Sequence, residues 1–414
     1  MAKENFYTAV DIGTNKVCAI LARVGSEGEL KILGTGIAPS QGVQKGRIES
    51  INEVKAAVAA SLEEAQRYVG RNVVSGVYAT ISGTQISCLN TKNELQGFED
   101  LDSVTPQQIH QLIQSSFPHL EASQEVLHVI PIGYEVDGLP GVRNPTGLHA
   151  NNIQLESHVV LGDATTIKNT VKAIEGGKVG VNSLVLHSLA SAEATLTGDE
   201  REMGVVLADI GAGTCDVSIY RAGQPWYSTV LPVGGSQLTR DLAVALRVPY
   251  YIAEEIKVKW GHVMPEQIRA DEEVVIPGAQ GQPKRVVKRR GLCEPLHQRM
   301  VEMLKLIMLR VSQAGLRQLP TGGLVITGGS AEMAGLKQLV ESNLGGQVRI
   351  AYTNSIAGLP SQLRKPAFSA GVGALLWGIR HQGEKRTYQN GERTLWGYNA
   401  LVRRFGRAKE QVTR

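Results

Sequence analysis

The sequence predicts an α/β protein of two related lobes that carries one small insert. The chain has 414 residues, which is beyond the length at which one hydrophobic core keeps growing. The tripeptide Asp-Ile-Gly follows an apolar run at Asp11 and again at Asp209. After each tripeptide, apolar runs separated by glycine follow in the same order. A duplicated unit of three strands, a helix and a further strand explains this repetition.

The first lobe begins with apolar runs that are separated by glycine turns, as in antiparallel hairpins. Gly13 and the turn at 25–28 mark the first two breaks. Residues 51–69 then show the helical spacing of apolar side chains, and Asn52 is the predicted N-cap. The strands predicted for this part are 6–11, 16–24, 30–38 and 73–81.

Residues 82–163 show a different pattern, which is typical of a small α+β unit. The helix-then-strand pattern resumes after this unit. We therefore predict a first lobe at 1–82 and 164–197 that is interrupted by an insert at 83–163. The predicted elements are strands near 84–89, 126–134 and 153–161, a helix at 106–115, a later helix at 165–176 and a strand at 181–186.

The second lobe repeats the opening pattern and adds a helical part at 237–310. A polar, basic stretch at 271–290 interrupts these helices and is predicted to be a solvated hairpin or loop. The predicted strands are 204–209, 215–221, 224–233 and 324–327, and a helix at 369–379 closes the folded body. The predicted divisions are 198–235, a helical subdomain at 236–310, the continued lobe at 311–379, a polar linker at 380–394 and a tail at 395–414.

Composition and charge exclude several classes of protein. The net charge is only +4, which gives no case for binding nucleic acid. The excess of basic residues lies in 378–414, which have a net charge of +6. The four cysteines are far apart and suggest neither a metal site nor a disulfide framework, which is typical of a reducing cytoplasm. We expect no signal peptide, and no apolar run approaches the roughly 18–20 residues that span a bilayer.

The first Asp-Ile-Gly loop, residues 10–16, has the features of a phosphate-binding turn. A buried strand brings Asp11 to its end, and Gly13 allows the chain to reverse tightly. The backbone N–H groups of Gly13, Thr14, Asn15 and Lys16 can then point at phosphate oxygens. Asp11 would hold Mg²⁺ through water, since Mg²⁺ keeps much of its hydration shell. Taken alone, this loop fits a plain hairpin with a turn aspartate better than a phosphate site.

The second loop, residues 208–216, repeats this arrangement. The repetition favours phosphate binding over a plain hairpin. Asp209 is its candidate metal residue, and its phosphate-facing residues are Gly211, Ala212, Gly213 and Thr214. Two such loops between matching strands predict a two-sided clamp for phosphate. The spacing differs from that of a Walker loop, and no Gly-Lys-Ser/Thr follows.

Three further elements fit a nucleotide that bridges the two lobes. Each has a structural alternative: a tight turn for the double glycines, and a surface ion pair for Glu254 and Lys257. These two side chains lie one turn apart on a helix and can project together toward a ribose or base. The candidate residues are Gly234 and Gly235, Gly328, Gly329 and Ser330, and Glu254 and Lys257.

The tail combines an apolar stripe with basic residues. On a helix, its apolar side chains follow i, i+3, i+4, i+7 spacing, which suits the headgroup region of an anionic membrane. The alternative is a helix that docks on the body or in a groove of a partner. The apolar residues are Tyr398, Leu401, Val402 and Phe405, with Trp396 at the entry and Arg403, Arg404 and Arg407 on the basic side.

With these motifs, the chain resembles the FtsA family of bacterial cell-division proteins, in the actin/Hsp70/sugar-kinase superfamily. Both Asp-Ile-Gly loops are similar to the superfamily's phosphate motifs. Residues 189–194, 327–330 and 366–378 are similar to its first connecting, adenosine and second connecting motifs. Residues 128–131 and 144–148 in the insert, residues 253–261 and the basic tail are similar to features of FtsA itself.

The resemblance implies an actin-like fold of duplicated ribonuclease-H-like units, with an FtsA-type insert and a C-terminal amphipathic helix. It implies ATP and Mg²⁺ as ligands, and self-association into filaments at the cytoplasmic face of the cell membrane, at the division septum. The implied partners are the C-terminal peptide of FtsZ, an anionic membrane surface and other division proteins that bind the insert. Asn15, Ala212 and Cys215 differ from the residues usual in the family, so hydrolysis is expected to be weak or absent.

Two other classes of protein stay open. An assembly-platform protein of type IV pili resembles FtsA in its core and would bind a partner peptide, although the basic tail argues against it. Another actin-like ATPase is the second alternative. A metabolic kinase needs a general base aimed at a substrate hydroxyl, and no candidate stands out. A chaperone needs a β-rich peptide-binding domain, for which no length remains.

Overall fold

The computed structural model describes residues 5–26, 28–69, 74–96, 103–278, 283–353, 356 and 358–381, and the backbone of 388–389 and 392–393. The predicted amphipathic tail lies outside the described residues. This holds for every side chain proposed to contact a membrane: Trp396, Tyr398, Leu401, Val402, Arg403, Arg404, Phe405 and Arg407.

The described part contains twenty strands and ten α-helices. The strands are β1 (Asn5–Ile12), β2 (Lys16–Val24), β3 (Leu30–Pro39), β4 (Val43–Gln44), β5 (Arg47–Ile48), β6 (Gly76–Ile81), β7 (Ser87–Gln96), β8 (Gln124–Val136), β9 (Leu139–Val142), β10 (Asn152–Asp163), β11 (Gly180–Leu186), β12 (Val205–Ile210), β13 (Cys215–Arg221), β14 (Gln224–Leu231), β15 (Glu273–Ile276), β16 (Arg285–Lys288), β17 (Leu324–Thr327), β18 (Val348–Ile350), β19 (Tyr388–Gln389) and β20 (Glu392–Arg393). The helices are α1 (Ile51–Gln66), α2 (Pro106–Ser115), α3 (Ala164–Glu175), α4 (His187–Thr195), α5 (Gly198–Met203), α6 (Gly235–Leu246), α7 (Tyr250–Trp260), α8 (Arg289–Gln313), α9 (Leu336–Leu344) and α10 (Ser369–Arg380).

The first lobe is built on a seven-stranded sheet with the order β20-β19-β11-β6-β1-β2-β3. β1, β2 and β3 are antiparallel neighbours, and β6 and β11 continue the sheet parallel to β1. Helices α1 and α3 cover one face, and α4 and α10 cover the other. Because both faces are buried, the central strands are apolar on both sides, which explains the continuous apolar runs of the sequence.

The predicted N-cap of α1 is wrong. The amide of Val54 donates to the carbonyl of Ser50, so the helical hydrogen bonds begin at Ser50 and place Asn52 inside the first turn. Ser50 occupies the capping position, and its side chain makes no capping hydrogen bond. The helix also ends at Gln66, three residues before the predicted end at 69.

The second lobe repeats the first on a five-stranded sheet with the order β14-β13-β12-β17-β18. β12, β13 and β14 are antiparallel, and β17 and β18 continue parallel to β12. The predicted duplication is therefore confirmed. The polar stretch at 271–290 forms the β15–β16 hairpin, as one of its two predicted forms, although Arg289 and Arg290 already belong to α8.

The insert has its own antiparallel sheet, in the order β7-β10-β8-β9, and α2 packs on one face of it. α2 has the predicted bounds, and Thr105 caps it by accepting from the amide of Gln108. β9 was not predicted, because its sequence Leu-Pro-Gly-Val contains two residues typical of turns. β7 extends well past the predicted 84–89, because its polar residues pair with β10 along their whole length.

The stretch 380–394, predicted to be a linker, contributes the short strands β19 and β20. Tyr388 pairs with Val181 of β11, and so the two strands extend the first-lobe sheet. Their backbone covers an edge of β11 that would otherwise present unpaired groups.

Two helices of the first lobe cross where the lobes are joined. The chain passes into the second lobe after α4 and α5, and returns from β18 to α10. α4 and α10 pack so closely that a Cβ at Gly373 would overlap the carbonyl of Ala190. Glycine at this position therefore sets the distance between the two helices.

Candidate functional site

A cleft of about 530 Å³ lies between the two lobes, and both Asp-Ile-Gly loops face it. Most of the predicted nucleotide residues line the cleft, whereas Gly213, Thr214 and Gly234 do not. The predicted residues that line it are Asp11, Gly13, Thr14, Asn15, Lys16, Asp209, Gly211, Ala212, Gly235, Glu254, Lys257, Gly328, Gly329 and Ser330. The structure thus brings together, from both lobes, residues that are more than 300 positions apart in the chain.

The first loop is a tight turn at the end of β1. The amide of Gly13 donates to the carbonyl of Lys16 at 2.9 Å, which closes the turn. Asp11 is buried, and its Oδ1 accepts from Thr80 Oγ1 at 2.7 Å. The Lys16 ammonium donates to the carbonyl of Ala367 at 2.6 Å and lies 4.6 Å from the centre of the Phe368 ring. Lys16 therefore connects the first loop to the segment that leads into α10.

The second loop closes in the same way. The amide of Gly211 donates to the carbonyl of Thr214 at 2.9 Å. The carbonyl of Gly211 accepts from the amide of Gly235 at 2.9 Å and from Ser330 Oγ at 3.1 Å. A Cβ at Gly234 would overlap the carbonyls of this loop. Gly234 therefore supports the loop from behind, which explains why it does not line the cleft.

Two residues that do not line the cleft have identifiable structural roles. Gly213 lies against the first loop, since a Cβ there would overlap Thr14 Oγ1. Thr214 donates from Oγ1 to Asp216 Oδ2 at 2.9 Å, and Ser82 of the first lobe donates to Asp216 Oδ1 at 2.7 Å. Sequence reasoning missed Asp216 and Ser82, because only the folded chain brings Ser82 across to β13.

His187, which sequence reasoning also missed, lies at the centre of the site. It is the first residue of α4, and its ring lies between the loops of the two lobes. Nε2 is 3.5 Å from Asp11 Oδ1, and Nδ1 is 3.4 Å from Asp209 Oδ2 and 4.0 Å from Asp216 Oδ2. A polar residue directly after a buried strand was the only sequence signal for this position.

The charges of these groups shift one another's pKa values. Although burial alone would lower it, the three carboxylates raise the pKa of His187 to about 10, so the imidazole is protonated at neutral pH. Burial opposes ionisation of Asp11, but the hydrogen bond and charge of His187, with the charge of Lys16 and the hydrogen bond from Thr80, outweigh it and lower the pKa of Asp11. Burial raises the pKa of Asp209, and raises that of Asp216 to about 6. His187 thus partly neutralises a dense acidic cluster.

The predicted pair Glu254 and Lys257 forms an ion pair at the cleft, in which Lys257 is buried and Glu254 is partly exposed. Lys257 Nζ donates to Glu254 Oε2 at 2.7 Å, to Thr239 Oγ1 at 2.8 Å and to the carbonyl of Gly235 at 3.3 Å. Thr239 Oγ1 also donates to Glu254 Oε2. Because Lys257 is only 8% exposed, this is not the surface ion pair of the structural alternative. Both side chains line the cleft.

Gly328 connects the second loop to the strand-to-helix turn after β17. Its φ is +88°, and a Cβ would overlap Asp209 Oδ1 and the carbonyl of Ile210. Glycine is needed here both for the backbone conformation and for the close approach to the aspartate. Gly328 therefore turns the chain and also lets the backbone pass close to Asp209.

The two candidate metal residues fit an ion held through water better than a directly bound ion. Asp11 and Asp209 each lie beside one nitrogen of the His187 ring, which separates the two carboxylates. His187 Nδ1 is buried without a hydrogen-bond partner among the described residues. In the same part of the chain, no three His, Cys, Asp or Glu side chains are arranged to bind a metal directly.

Two sequence profiles match the chain. The profile described as cell division protein FtsA matches residues 206–373, and that of the SHS2 domain inserted in FtsA matches 83–161. A cell division protein FtsA of Pseudomonas aeruginosa is 33% identical over 376 residues, covering 91% of this chain and 89% of that protein. The chain belongs to the FtsA family of cell-division proteins. The FtsA of Escherichia coli K12 is also 33% identical, over 391 residues, covering 92% of this chain and 91% of that protein.

Solved structures confirm the actin-like fold of this FtsA-family chain. The PilM–PilN type IV pilus biogenesis complex matches with a TM-score of 0.64 at 16% identity, covering 90% of this chain and 98% of that one. MreB5 of Spiroplasma citri bound to ADP matches with a TM-score of 0.52 at 9% identity, covering 90% and 96%. These likenesses concern the fold alone. Among the described residues, no helix is both long and apolar enough to cross a membrane.

Proposed function

We propose that this protein is an ATP-binding, actin-like cell-division protein that polymerises at the cytoplasmic membrane and tethers the FtsZ ring there. The observation that carries the proposal is that two matching Asp-Ile-Gly loops face one cleft in an FtsA-family chain. Its expected location is the cytoplasmic face of the membrane, at the division septum.

The cleft supports binding of a nucleotide with its phosphates between the loops. The amides of Gly13 to Lys16 and of Gly211 to Thr214 would bind phosphate oxygens. Asp11 and Asp209 would hold Mg²⁺ through water, and the ion would supply positive charge beside the phosphates. The turn at 328–330 and the Glu254–Lys257 pair would contact the adenosine. MreB5 of Spiroplasma citri, which shares the fold, was solved bound to ADP, and this supports a nucleotide as the ligand.

A melting experiment tests the nucleotide part of the proposal. Mg-ATP should raise the melting temperature of the intact protein, because a ligand that binds only the folded state stabilises it. Asp209→Ala should abolish this increase. Asp271→Ala removes a carboxylate that is 81% exposed on the second lobe and should keep the increase. An equal increase in Asp209→Ala and the unchanged protein would contradict the cleft assignment.

We further propose that ATP hydrolysis is weak or absent. A general base must accept a proton, and the raised pKa of His187 keeps its ring protonated while it faces the carboxylates. The cleft would then bind the nucleotide without turning it over. The bound nucleotide would control closure of the lobes and self-association. Phosphate release above the rate of Asp209→Ala by more than a few turnovers per hour would refute this part.

The membrane role rests on the basic amphipathic tail of the sequence. Trp396, Leu401 and Phe405 would enter the headgroup region, and Arg403, Arg404 and Arg407 would pair with anionic lipids. One copy should bind weakly, whereas several copies in a filament should bind well. Sedimentation with anionic liposomes should deplete the intact chain but not a chain that ends at Thr394. Equal sedimentation of the two would exclude the membrane role.

Binding of the C-terminal peptide of FtsZ would distinguish this function from that of a pilus-assembly platform. The similarity to the PilM–PilN complex shows a shared fold at 16% identity, whereas identity to FtsA proteins reaches 33% over most of the chain. We expect the FtsZ peptide to bind the intact protein in fluorescence anisotropy. A scrambled peptide of the same composition is the control, and equal binding of both peptides would revive the alternative.

A further inference from the structure

The insert also touches the second lobe, at strand β14. The contact, called the insert seam here, consists of Cys88, Asn90 and His158 from the insert and Trp226 and Ser228 from β14. β14 is an edge strand of the second-lobe sheet, and β7 is an edge strand of the insert sheet. Edge strands present backbone groups that need partners.

Side chains of the insert occupy these backbone groups of β14. Asn90 Nδ2 donates to the carbonyl of Trp226 at 3.1 Å, and the amide of Ser228 donates to Cys88 Sγ at 3.4 Å. Bonds from side chain to backbone hold the two sheets without forming a continuous ladder. The contact between the two sheets is thus made by side chains and not by a shared backbone ladder.

His158 forms hydrogen bonds on both sides of the seam. It pairs directly with Asn90 across the ladder between β10 and β7. Its Nδ1 lies 2.9 Å from Asn90 Oδ1, and its Nε2 lies 3.0 Å from Ser228 Oγ. The side chain is fully buried, and burial lowers its pKa to about 4, so the contact is between neutral groups at neutral pH. Because these groups are desolvated, partial displacement of the insert would leave them unsatisfied.

The seam continues directly from the cleft. Ser82 precedes β7 and donates to Asp216 of β13 in the second lobe. β13 pairs with β14, where Ser218 is opposite Ser228. The second phosphate loop and the docked strand are therefore neighbouring parts of one sheet, so a shift of this loop relative to the first lobe also displaces the seam.

We infer that the insert is a third, non-covalent connection between the two lobes, whose docking on β14 is coupled to closure of the cleft. Coupling between two binding events is reciprocal. Anything that pulls the insert away from β14 would therefore open the cleft, and a ligand that closes the cleft would hold the insert in place. The ligand part of this inference rests on the proposed nucleotide binding, whereas the coupling itself does not.

A disulfide across the seam tests the inference in the full chain. Cys88 is already present, and Ser228→Cys places a second thiol beside it, since Cys88 Sγ lies 3.4 Å from the residue 228 amide. Diamide would form the bond, and mass spectrometry of the digested protein would verify it. The matched control is Cys88→Ala with Ser228→Cys, treated in the same way, which cannot form this bond.

Two measurements distinguish the outcomes. Amide hydrogen exchange at 13–16 and 211–216 should be slower in the cross-linked protein than in the control, and a fluorescent ATP analogue with Mg²⁺ should dissociate at least about fivefold more slowly, the lower end of usual coupling strengths. Exchange at both loops equal to that of the control, with 87–96 protected, would overturn the coupling. If the uncross-linked protein fails to bind the analogue, the proposed function fails, and the exchange result alone decides the inference.

A substitution that weakens the seam should change amide exchange in the opposite direction. Asn90→Ala removes the bond to Trp226 and also the partner of His158 Nδ1, so both contacts that Asn90 makes in the seam are lost, and a circular dichroism spectrum would verify that the variant is folded. Exchange at 13–16 and 211–216 should become faster in this variant. Thr91→Ala changes the next residue of β7, whose hydroxyl bonds to Ser116 within the insert, and should leave exchange at the loops unchanged. Equal exchange in Asn90→Ala and Thr91→Ala would contradict the inference even if the disulfide did not form.

Discussion

The Nδ1 atom of His187 lies 3.4 Å from Oδ2 of Asp209, which joins the connecting helix of the first lobe to the phosphate loop of the second. The other ring nitrogen faces Asp11. One protonated side chain thus stands between the two aspartates that we expect to hold Mg²⁺ through water. The stability of the ligand-free protein should depend on this charge.

The pH dependence of stability should reveal the charge of His187. Its pKa is raised from 6.5 to about 10 by the carboxylates around it. Because the folded state holds this proton more tightly than the unfolded state, the stabilisation is complete below pH 6.5 and is lost as the pH rises toward 10. The melting temperature of the ligand-free protein should therefore fall across this interval.

His187→Gln is the control for this pH dependence, since glutamine keeps polar atoms but cannot be protonated. The variant should show a flatter profile between pH 6.5 and 10. Parallel profiles of the variant and the unchanged protein would mean that His187 is uncharged in the fold.

The ion pair of Lys257 should contribute to both stability and nucleotide binding. Lys257→Met keeps the apolar stem but removes the ammonium that donates to Glu254 and Thr239, so Glu254 loses its charged partner, which should cost about 1–3 kcal/mol of unfolding free energy. Affinity for Mg-ATP should fall as well. Lys259→Met changes a neighbouring lysine that is exposed and also lines the cleft.

Urea unfolding and titration with an ATP analogue would measure the two effects. Lys259→Met should stay within about 0.5 kcal/mol of the unchanged protein, as surface substitutions usually do. Equal losses of stability in both lysine variants would show that the burial of Lys257 is unimportant.

Gly328→Ala should damage the site more than strain in the backbone alone can explain. A left-handed backbone at a non-glycine residue costs roughly 1–3 kcal/mol, and the added Cβ would also displace Asp209. Gly345→Ala isolates the strain, because Gly345 has a φ of +65° with open space around it. Differential scanning calorimetry with and without Mg-ATP should show a larger loss for Gly328→Ala, and only this variant should lose the ligand-induced shift.

The crossing of α4 and α10 should tolerate no side chain at Gly373. Gly373→Ala would push the helices apart at Ala190, and overpacking of this kind typically costs about 1–3 kcal/mol. Gly291→Ala, in α8 with nothing near its Cβ position, should instead be neutral or stabilise by up to about 1 kcal/mol, because alanine favours helix. Denaturant midpoints compare the two variants, and equal midpoints would argue against tight packing at the crossing.

Much of the fold could be predicted because its signals are local. Strands β1–β3, β6, β11–β14 and β17, together with α2 and α10, follow from apolar runs and glycine breaks that a few residues define, whereas β18, α5 and α9 were not predicted. The predictions were less accurate where pairing partners decide the structure. β7 is mostly polar, and only its ladder with β10 makes it a long strand. Strand β9 contains proline and glycine, so its sequence resembles a turn.

The sequence by itself determined the duplicated lobes, the position of the insert and the two Asp-Ile-Gly loops, because each depends on residues that are close together in the chain. Only the tertiary structure decided that His187 lies between Asp11 and Asp209, that Gly234 supports the second loop from behind, and that the insert docks on β14. These relationships join residues from separate strands of different sheets. Their distances are set by the packing of whole helices and sheets, which no local pattern of residues encodes.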